Sequence, residues 1–225
     1  MRVSELYHKP PFSDVGSAVH VVGTGPSMTV MPLDYLKDKN CILLNDAWRL
    51  FPLLGPIAFA NNKNFLSGCK LPIQIVKARL KFDPHMERDD NHVRWDDPHY
   101  YCFSYRDRDY DEWDHFDDAA LWNEPNHYWN TPGGNASIFS IQFCLLAGVK
   151  QIHLVGCDCC NINKKDYYAE TLGRRRKHDY EAYARGTMRM IREARERFGV
   201  PIVQVTPFAG LGREKEQFKE MKSWT

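Results

Sequence analysis

One stretch, Thr131 to Asp158 (TPGGNASIFSIQFCLLAGVKQIHLVGCD), constrains this chain more than any other. It reads as a small-residue loop, an apolar helix, a glycine stop, a short apolar strand and then polar groups at the strand's carboxyl end. That is half of an α/β unit, and in open α/β sheets ligands collect outside the carboxyl ends of the strands. Gly156 and Asp158 therefore stand where a ligand is expected. A second copy of the strand-then-glycine grammar lies near the amino terminus, VHVVGTGPSM (Val19 to Met28).

The fold class follows from the spacing of the other apolar runs. Short uninterrupted runs bounded by turn residues predict strands at Ala18–Val22, Cys41–Leu44, Ile57–Ala60, Ile73–Val76, Tyr100–Phe103, Gln151–Val155 and Ile202–Val205. Runs of this kind suit parallel strands covered on both faces. Between the last strands lies Asp179–Phe198, where Tyr180, Tyr183, Ala184, Met188, Ile191, Ala194 and Phe198 recur at helical spacing before Gly199 and Pro201. The expectation is a single α/β domain spanning residues 1–225, Rossmann-like, with a doubly wound, mostly parallel sheet. The stretch 82–129 is rich in Asp, His, Tyr and Trp and lacks a sustained period, so it is read as an insertion or lid. Arg213–Thr225 reads as a polar helical tail.

Composition excludes several classes. A 43% hydrophobic and 13% aromatic chain of 225 residues is long and apolar enough to fold around its own core. No apolar stretch approaches the roughly 20 residues of a membrane helix, and the first apolar run is too short for a signal sequence. Seven cysteines without a scaffold rhythm point to reduced thiols and a cytoplasmic protein. Cys157, Cys159 and Cys160 cluster, but no second Cys/His pair stands at finger-like spacing. Net charge is +1, yet unevenly placed: Asp83–Asp118 holds thirteen acidic against four basic residues, and Arg174–Arg197 nine basic against four acidic. Those runs are either solvated faces or, for the second, a basic wall beside an anionic ligand.

Candidate site residues cluster at predicted strand ends. Gly23-Thr24-Gly25-Pro26-Ser27 follows a strand directly, where glycines admit a close backbone approach and a following helix offers free N–H groups to an anion. Pro26 suits a first helical turn. Asn45 and Asp46 end the second strand and could hydrogen-bond a base or ribose, with a helix cap by Asp46 as the competing explanation. Gly133-Gly134-Asn135 opens the central helix, either against a ligand or as a tight turn with an Asn cap. His178 titrates near neutrality beside Arg174, Arg175, Arg176 and Lys177, as a general base near a phosphate would. Asp107 and Asp109 form a D-x-D pair of the kind that holds Mg²⁺ or Mn²⁺ on a diphosphate, which keeps a metal-dependent mechanism open.

The G-x-G-P-S loop, the Asn ending the second strand and the Gly-Gly-Asn helix running into L-x-G-x-D together resemble one superfamily. It comprises the bacterial lipooligosaccharide sialyltransferases of glycosyltransferase family 42 and the flagellin glycosyltransferases of the motility-accessory-factor type, with an archaeal hydroxymethylpterin pyrophosphokinase as a more distant relative. The resemblance covers Ala18–Leu50 and Thr131–Val205. It implies a Rossmann-like domain that takes a nucleotide sugar, a CMP- or UDP-sugar, with no required metal cofactor. Gly25 and Ser27 would border the nucleotide, Asn45 would contact it, and Asn135 with its neighbours would approach the nucleoside. It also implies that Tyr167 and Tyr168 hold the departing phosphate and that His178 is the base. Ala136 stands where the sialyltransferases carry a serine, leaving that contact missing or to Ser137. The short connection from Asp158 to His178 leaves little room for their lid, which argues against sialic acid as the donor. The expected activity is sugar transfer to an acceptor hydroxyl on a glycan, a protein or a hydroxymethylated nucleobase. An ATP/Mg-dependent pyrophosphokinase and a non-catalytic nucleotide-binding protein stay open as alternatives, as does a homo-oligomer.

Overall fold

The apolar runs do become strands, and they lie side by side in one parallel sheet. The computed structural model describes residues 3–7, 9–12, 14, 16–77, 97–106, 128–130, 135–159 and 180–206. Its strands are β1 (Val19–Val22), β2 (Asn40–Leu44), β3 (Ile57–Ala60), β4 (Ile73–Lys77), β5 (Tyr101–Arg106), β6 (Tyr128–Asn130), β7 (Ile152–Val155) and β8 (Ile202–Gln204). Their order is β6-β5-β4-β3-β2-β1-β7-β8, and every neighbouring pair is parallel. The chain therefore builds outward from β1 in one direction through β6, then crosses back and builds in the other through β7 and β8. This is an α/β, Rossmann-like sheet whose switch point lies between β1 and β7.

Both faces of the central strands are covered, which is why their sequences read as continuous apolar runs. Val19, Val21, Ile42, Leu44, Ile57, Phe59, Ile152 and Leu154 pack on one side with two helices, α2 (Ala136–Leu146) and α3 (Tyr180–Phe198). Val22, Cys41, Leu43 and Val155 face the other side, under Met28, Met31 and Leu36 from the β1–β2 connection and under Ala47 of the one-turn helix α1 (Ala47–Leu50). That connection holds two 3₁₀ turns, Pro26–Thr29 and Leu33–Leu36.

Helix α2 is buried from Ala136 to Leu145, as a helix apolar on all sides must be. The Asn135 side chain caps it by accepting from the Ile138 N–H at 2.9 Å. It stops at Gly148, whose φ of 76° lets Val149 N–H reach back to Cys144 O and Gly148 N–H to Leu145 O. Phe143 on this helix gathers Tyr7, Phe12 and Phe59 at ring-centroid distances of 6.1–6.3 Å, tying the amino-terminal segment to the core.

Two expectations need adjusting. Inside 82–129, Tyr101–Arg106 and Tyr128–Asn130 are strands of the sheet, so those residues extend the fold rather than cover it; the rest of 82–129, except residues 97–100, lies outside the described residues. The buried stripe of α3 runs through Ala184, Thr187, Met190 and Ala194, while Met188 is 42% and Phe198 36% exposed. Ala184 and Ala194 of the expected stripe are thus buried and Ile191 packs against the core, while Met188 and Phe198 are not. The tail Arg213–Thr225 also lies outside the described residues. Among the described residues no helix is long and apolar enough to cross a membrane.

A paired polar feature interrupts the second face. His20 and His153 are register partners on β1 and β7, with His20 Nε2 and His153 Nδ1 3.0 Å apart and the Tyr35 hydroxyl 3.3 Å from the same His153 nitrogen. Burial, then His153 and then Lys39 push His20 down to about 4. The unfolded chain takes up this proton near pH 6.5 and the folded chain only near 4, so this group withdraws stability as pH falls through that window. His20→Leu is expected to flatten the loss of stability between about pH 6.5 and 4 in urea titrations. Phe143→Ala is expected to cost about 3–5 kcal/mol in the same assay at neutral pH.

Candidate functional site

Where β1 ends, its pairing with β7 continues through backbone that carries no side chains. Gly23 N–H donates to Val155 O at 2.8 Å and Gly25 N–H to Gly156 O at 2.7 Å. The two chains approach so closely that a Cβ on Gly23 would stand 2.4 Å from Gly156 O, and one on Gly25 2.5 Å from Asp158 Oδ2. The glycines of G-x-G-P-S are thus required by the neighbouring loop. Gly156 itself has a φ of 63°.

Asp158 closes this arrangement. It is 2% exposed, and its carboxylate accepts from Ser27 N–H at 2.6 Å, Ser27 Oγ at 2.5 Å and Thr206 Oγ1 at 3.1 Å. Thr206 in turn accepts from Gly156 N–H at 2.8 Å, so the ends of β1, β7 and β8 share one hydrogen-bonded cluster. Burial pushes the Asp158 carboxyl up to about 6, against the Ser27 and Thr206 hydrogen bonds that pull it down. The segment after Gly25 is a single 3₁₀ turn with Pro26 and Ser27 buried, and its donors have internal partners: Ser27 N–H on Asp158 and Met28 N–H on Gly25 O. The free helix N–H groups expected from the sequence are therefore not those of Ser27 and Met28.

The next strand supplies a second group of polar residues. Asn45 at the end of β2 sits at a φ of 49°, a conformation Asn tolerates better than most residues. Its N–H donates to Phe59 O at 2.9 Å and its Oδ1 accepts from Asn61 N–H at 3.4 Å, which links the ends of β2 and β3. Asp46 is buried but makes no capping hydrogen bond to α1, so the cap explanation does not hold; it pairs with Arg49 at 3.1 Å. Arg49 also lies 4.6 Å over Trp48 and donates to Ser67 O, and Trp48 Nε1 donates to Phe65 O at 2.6 Å.

On the helical side, Asn135 and Ser137 open α2. Asn135 Oδ1 accepts from both Ile138 N–H and Ser137 Oγ, the latter at 2.5 Å, so the Asn cap foreseen for this loop is present and the buried Ser137 hydroxyl serves it. Because α2 leads into β7 and α3 into β8, both helices run against the strands and begin at the carboxyl edge of the sheet. The structure thus brings Gly23, Gly25, Pro26 and Ser27 together with Gly156 and Asp158, and sets Asn45, Asp46, Asn135 and Ser137 along the same edge. Gly133, Gly134, Tyr167, Tyr168, Arg174 and His178, and the alternative metal pair Asp107 and Asp109, lie outside the described residues.

Thr206 and Asn61 belong to this edge and were not foreseen. Both follow apolar strands directly, so the rule that singled out Asn45 would have found them. The neighbouring thiols are held protonated: burial raises Cys157 well above its usual range and pushes Cys159 up to about 12. Cys159, at a φ of 46°, approaches Thr187 of α3 at 3.9 Å.

No protein-family model matches the chain, and no curated protein matches it.

Gly25→Ala is expected to cost about 1–3 kcal/mol in urea unfolding, because its Cβ would press on backbone and a buried carboxylate. Gly148→Ala, with open space around the new methyl, is expected to lose only the roughly 1–2 kcal/mol of left-handed strain.

Proposed function

We propose that this protein is a glycosyltransferase that takes a nucleotide sugar, a CMP- or UDP-sugar, and passes the sugar to an acceptor hydroxyl. One observation carries the reading. The described residues of the motifs that resemble the sialyltransferase and motility-accessory-factor superfamily lie far apart in the chain and share the carboxyl edge of the sheet, with Gly23–Ser27 and Gly156–Asp158 meeting at the β1–β7 switch point. Ligands of open parallel sheets collect at that position.

In this reading the Gly23–Ser27 loop and Asn45 border the nucleoside, and Asn135 approaches it from the first turn of α2. The described chain leaves the edge at Cys159 and resumes at Tyr180, the start of α3. The residues assigned to the chemistry, Tyr167, Tyr168, Arg174 and His178, fall between those points. His178 takes the proton of the attacking hydroxyl as the oxygen bonds to the anomeric carbon. The bond from that carbon to the nucleotide phosphate breaks, and the tyrosine hydroxyls and Arg174 stabilise the charge left on the phosphate oxygen. A metal ion is not required in this scheme. The acceptor is a hydroxyl of a glycan, a protein or a hydroxymethylated base, and the Arg174–Lys177 run suits an anionic one.

A thermal-shift panel of CMP-, UDP- and GDP-sugars, with and without Mg²⁺, tests the reading. A bound donor at about 100 times its Kd is expected to stabilise the fold by about 2.7 kcal/mol. His178→Ala is expected to keep that stabilisation and lower transfer by roughly 10²–10⁴-fold. Absence of stabilisation by every sugar nucleotide sinks the proposal, and AMP release from ATP and Mg²⁺ replaces it with a pyrophosphokinase.

A further inference from the structure

A glycine loop following the first strand of a parallel sheet is ordinarily a place where backbone N–H groups meet a bound anion. Here the anion is internal. Asp158, three residues past β7, lies under the loop and receives its Ser27 N–H and Ser27 hydroxyl, while the third donor, Thr206, comes from the end of β8.

The proton count shows which form of Asp158 this geometry fits. Ser27 N–H can only donate. Thr206 Oγ1 already accepts from Gly156 N–H and directs its own proton at Asp158. Ser27 Oγ donates to the same carboxyl group. Three donors converge on two oxygens, so the ionised carboxylate, an acceptor only, satisfies all of them. A protonated Asp158 would need an acceptor for its own hydrogen, and one of the three ties would have to turn away or break. Among the described residues the other groups beside Asp158 are neutral: Cys157 and Cys159 from the segment after β7, their thiols held protonated by burial, and Thr187 of α3 next to Cys159. Among the described residues its hydrogen-bond partners are all uncharged. Its charge is therefore balanced, among the described residues, by hydrogen bonds alone, and burial brings its titration up to about 6.

We infer that Asp158 is a positioning residue for the ligand site: its buried carboxylate takes the place of a bound anion, holds the Gly23–Ser27 loop against the ends of β7 and β8, and makes the placement of that loop depend on pH. Locking of the loop stands on the free protein; the consequence for ligand affinity rests on the proposed nucleotide-sugar site. The ligand meets a loop already closed by Asp158. The loop then contributes its shape and its Thr24 surface, and the donor's phosphate is held by other residues.

Amide hydrogen exchange at Ser27, followed by NMR from about pH 5 to 8, tests the lock without any ligand. After correction for intrinsic rates, Ser27 protection is expected to fall about tenfold as pH drops through about 6, the size of losing one hydrogen bond to a charged group. Asp158→Asn is expected to show the lowered protection at every pH and no titration, and Thr206→Val an intermediate loss. Should Asp158→Asn fail to fold, Thr206→Val and the wild-type titration decide alone. Protection that ignores both pH and substitution overturns the inference. Affinity for UDP-glucose and UDP-N-acetylglucosamine, whose phosphates stay ionised over this range, is expected to weaken about tenfold in Asp158→Asn and to lose its decline below about pH 6. Weakened binding with Ser27 protection intact would mean that Asp158 touches the ligand, and overturns it too. If neither sugar nucleotide binds the wild type while Ser27 protection follows Asp158, the nucleotide-sugar reading falls and the lock stands.

Discussion

The carboxyl edge of this sheet is held by one buried anion. Asp158 reaches back across the switch point to Ser27 and sideways to Thr206, joining segments 131 and 48 residues apart in the chain. Burying a carboxylate costs several kcal/mol, and hydrogen bonds to a charged group return about 1.5–3 kcal/mol each. Three such bonds offset most of the burial but not all of it, whereas one or two fall further short. That balance explains why the cluster recruits a donor from β8 in addition to both groups of Ser27, and why Asp158 still titrates near 6 instead of in the usual carboxylate range.

The glycines around this carboxylate follow from it. A loop can close over Asp158 only if Gly25 brings no side chain between its own backbone and the carboxyl oxygens, and only if Gly23 lets the β1 chain lie against Gly156 O. The same closeness gives Gly25 N–H and Gly23 N–H their partners on β7. Beneath the loop, α2 supplies the rigid floor. Its Phe139 and Phe143 are fully buried among strands β1 to β3, so the core holds the helix whose first turn carries the Asn135 cap. Site geometry at this edge is thus a direct product of core packing on one face and carboxylate chemistry at the strand ends.

Much of this was legible in the sequence because buried parallel strands announce themselves. Seven apolar runs foretold seven strands to within about three residues at either end, since only strands covered on both faces dispense with alternation. Tyr128–Asn130 was not legible: three aromatic and polar residues carry no period. The stripe of α3 was legible at Ala184, Ile191 and Ala194 and missed at Met188 and Phe198, which are exposed, while Thr187 and Met190 are buried instead. The Asn135 cap followed from local chemistry, and the Asp46 cap failed because Arg49 sits one turn on and takes the carboxylate. That Ser27 and Thr206 pair with Asp158 was beyond reach, because what a carboxylate binds depends on which distant segments surround it.

That last point changes what the glycine motif means here. Strand-glycine-x-glycine followed by a helical turn is compatible with two arrangements: one in which the loop's N–H groups stay open for phosphate, and one in which a side chain answers them. A carboxylate and a phosphate oxygen present the same charge sign and the same acceptor geometry to a backbone N–H. The sequence of the loop alone therefore cannot distinguish them. What distinguishes them is whether an acidic residue follows the neighbouring strand on the other side of the switch point, at the depth of the loop. In L-V-G-C-D that residue is Asp158, two positions beyond a glycine that must itself be bare to let the loops meet. The spacing G-x-D after the strand and G-x-G-x-S after its partner are two halves of one structural device, and neither half has its physical meaning without the other.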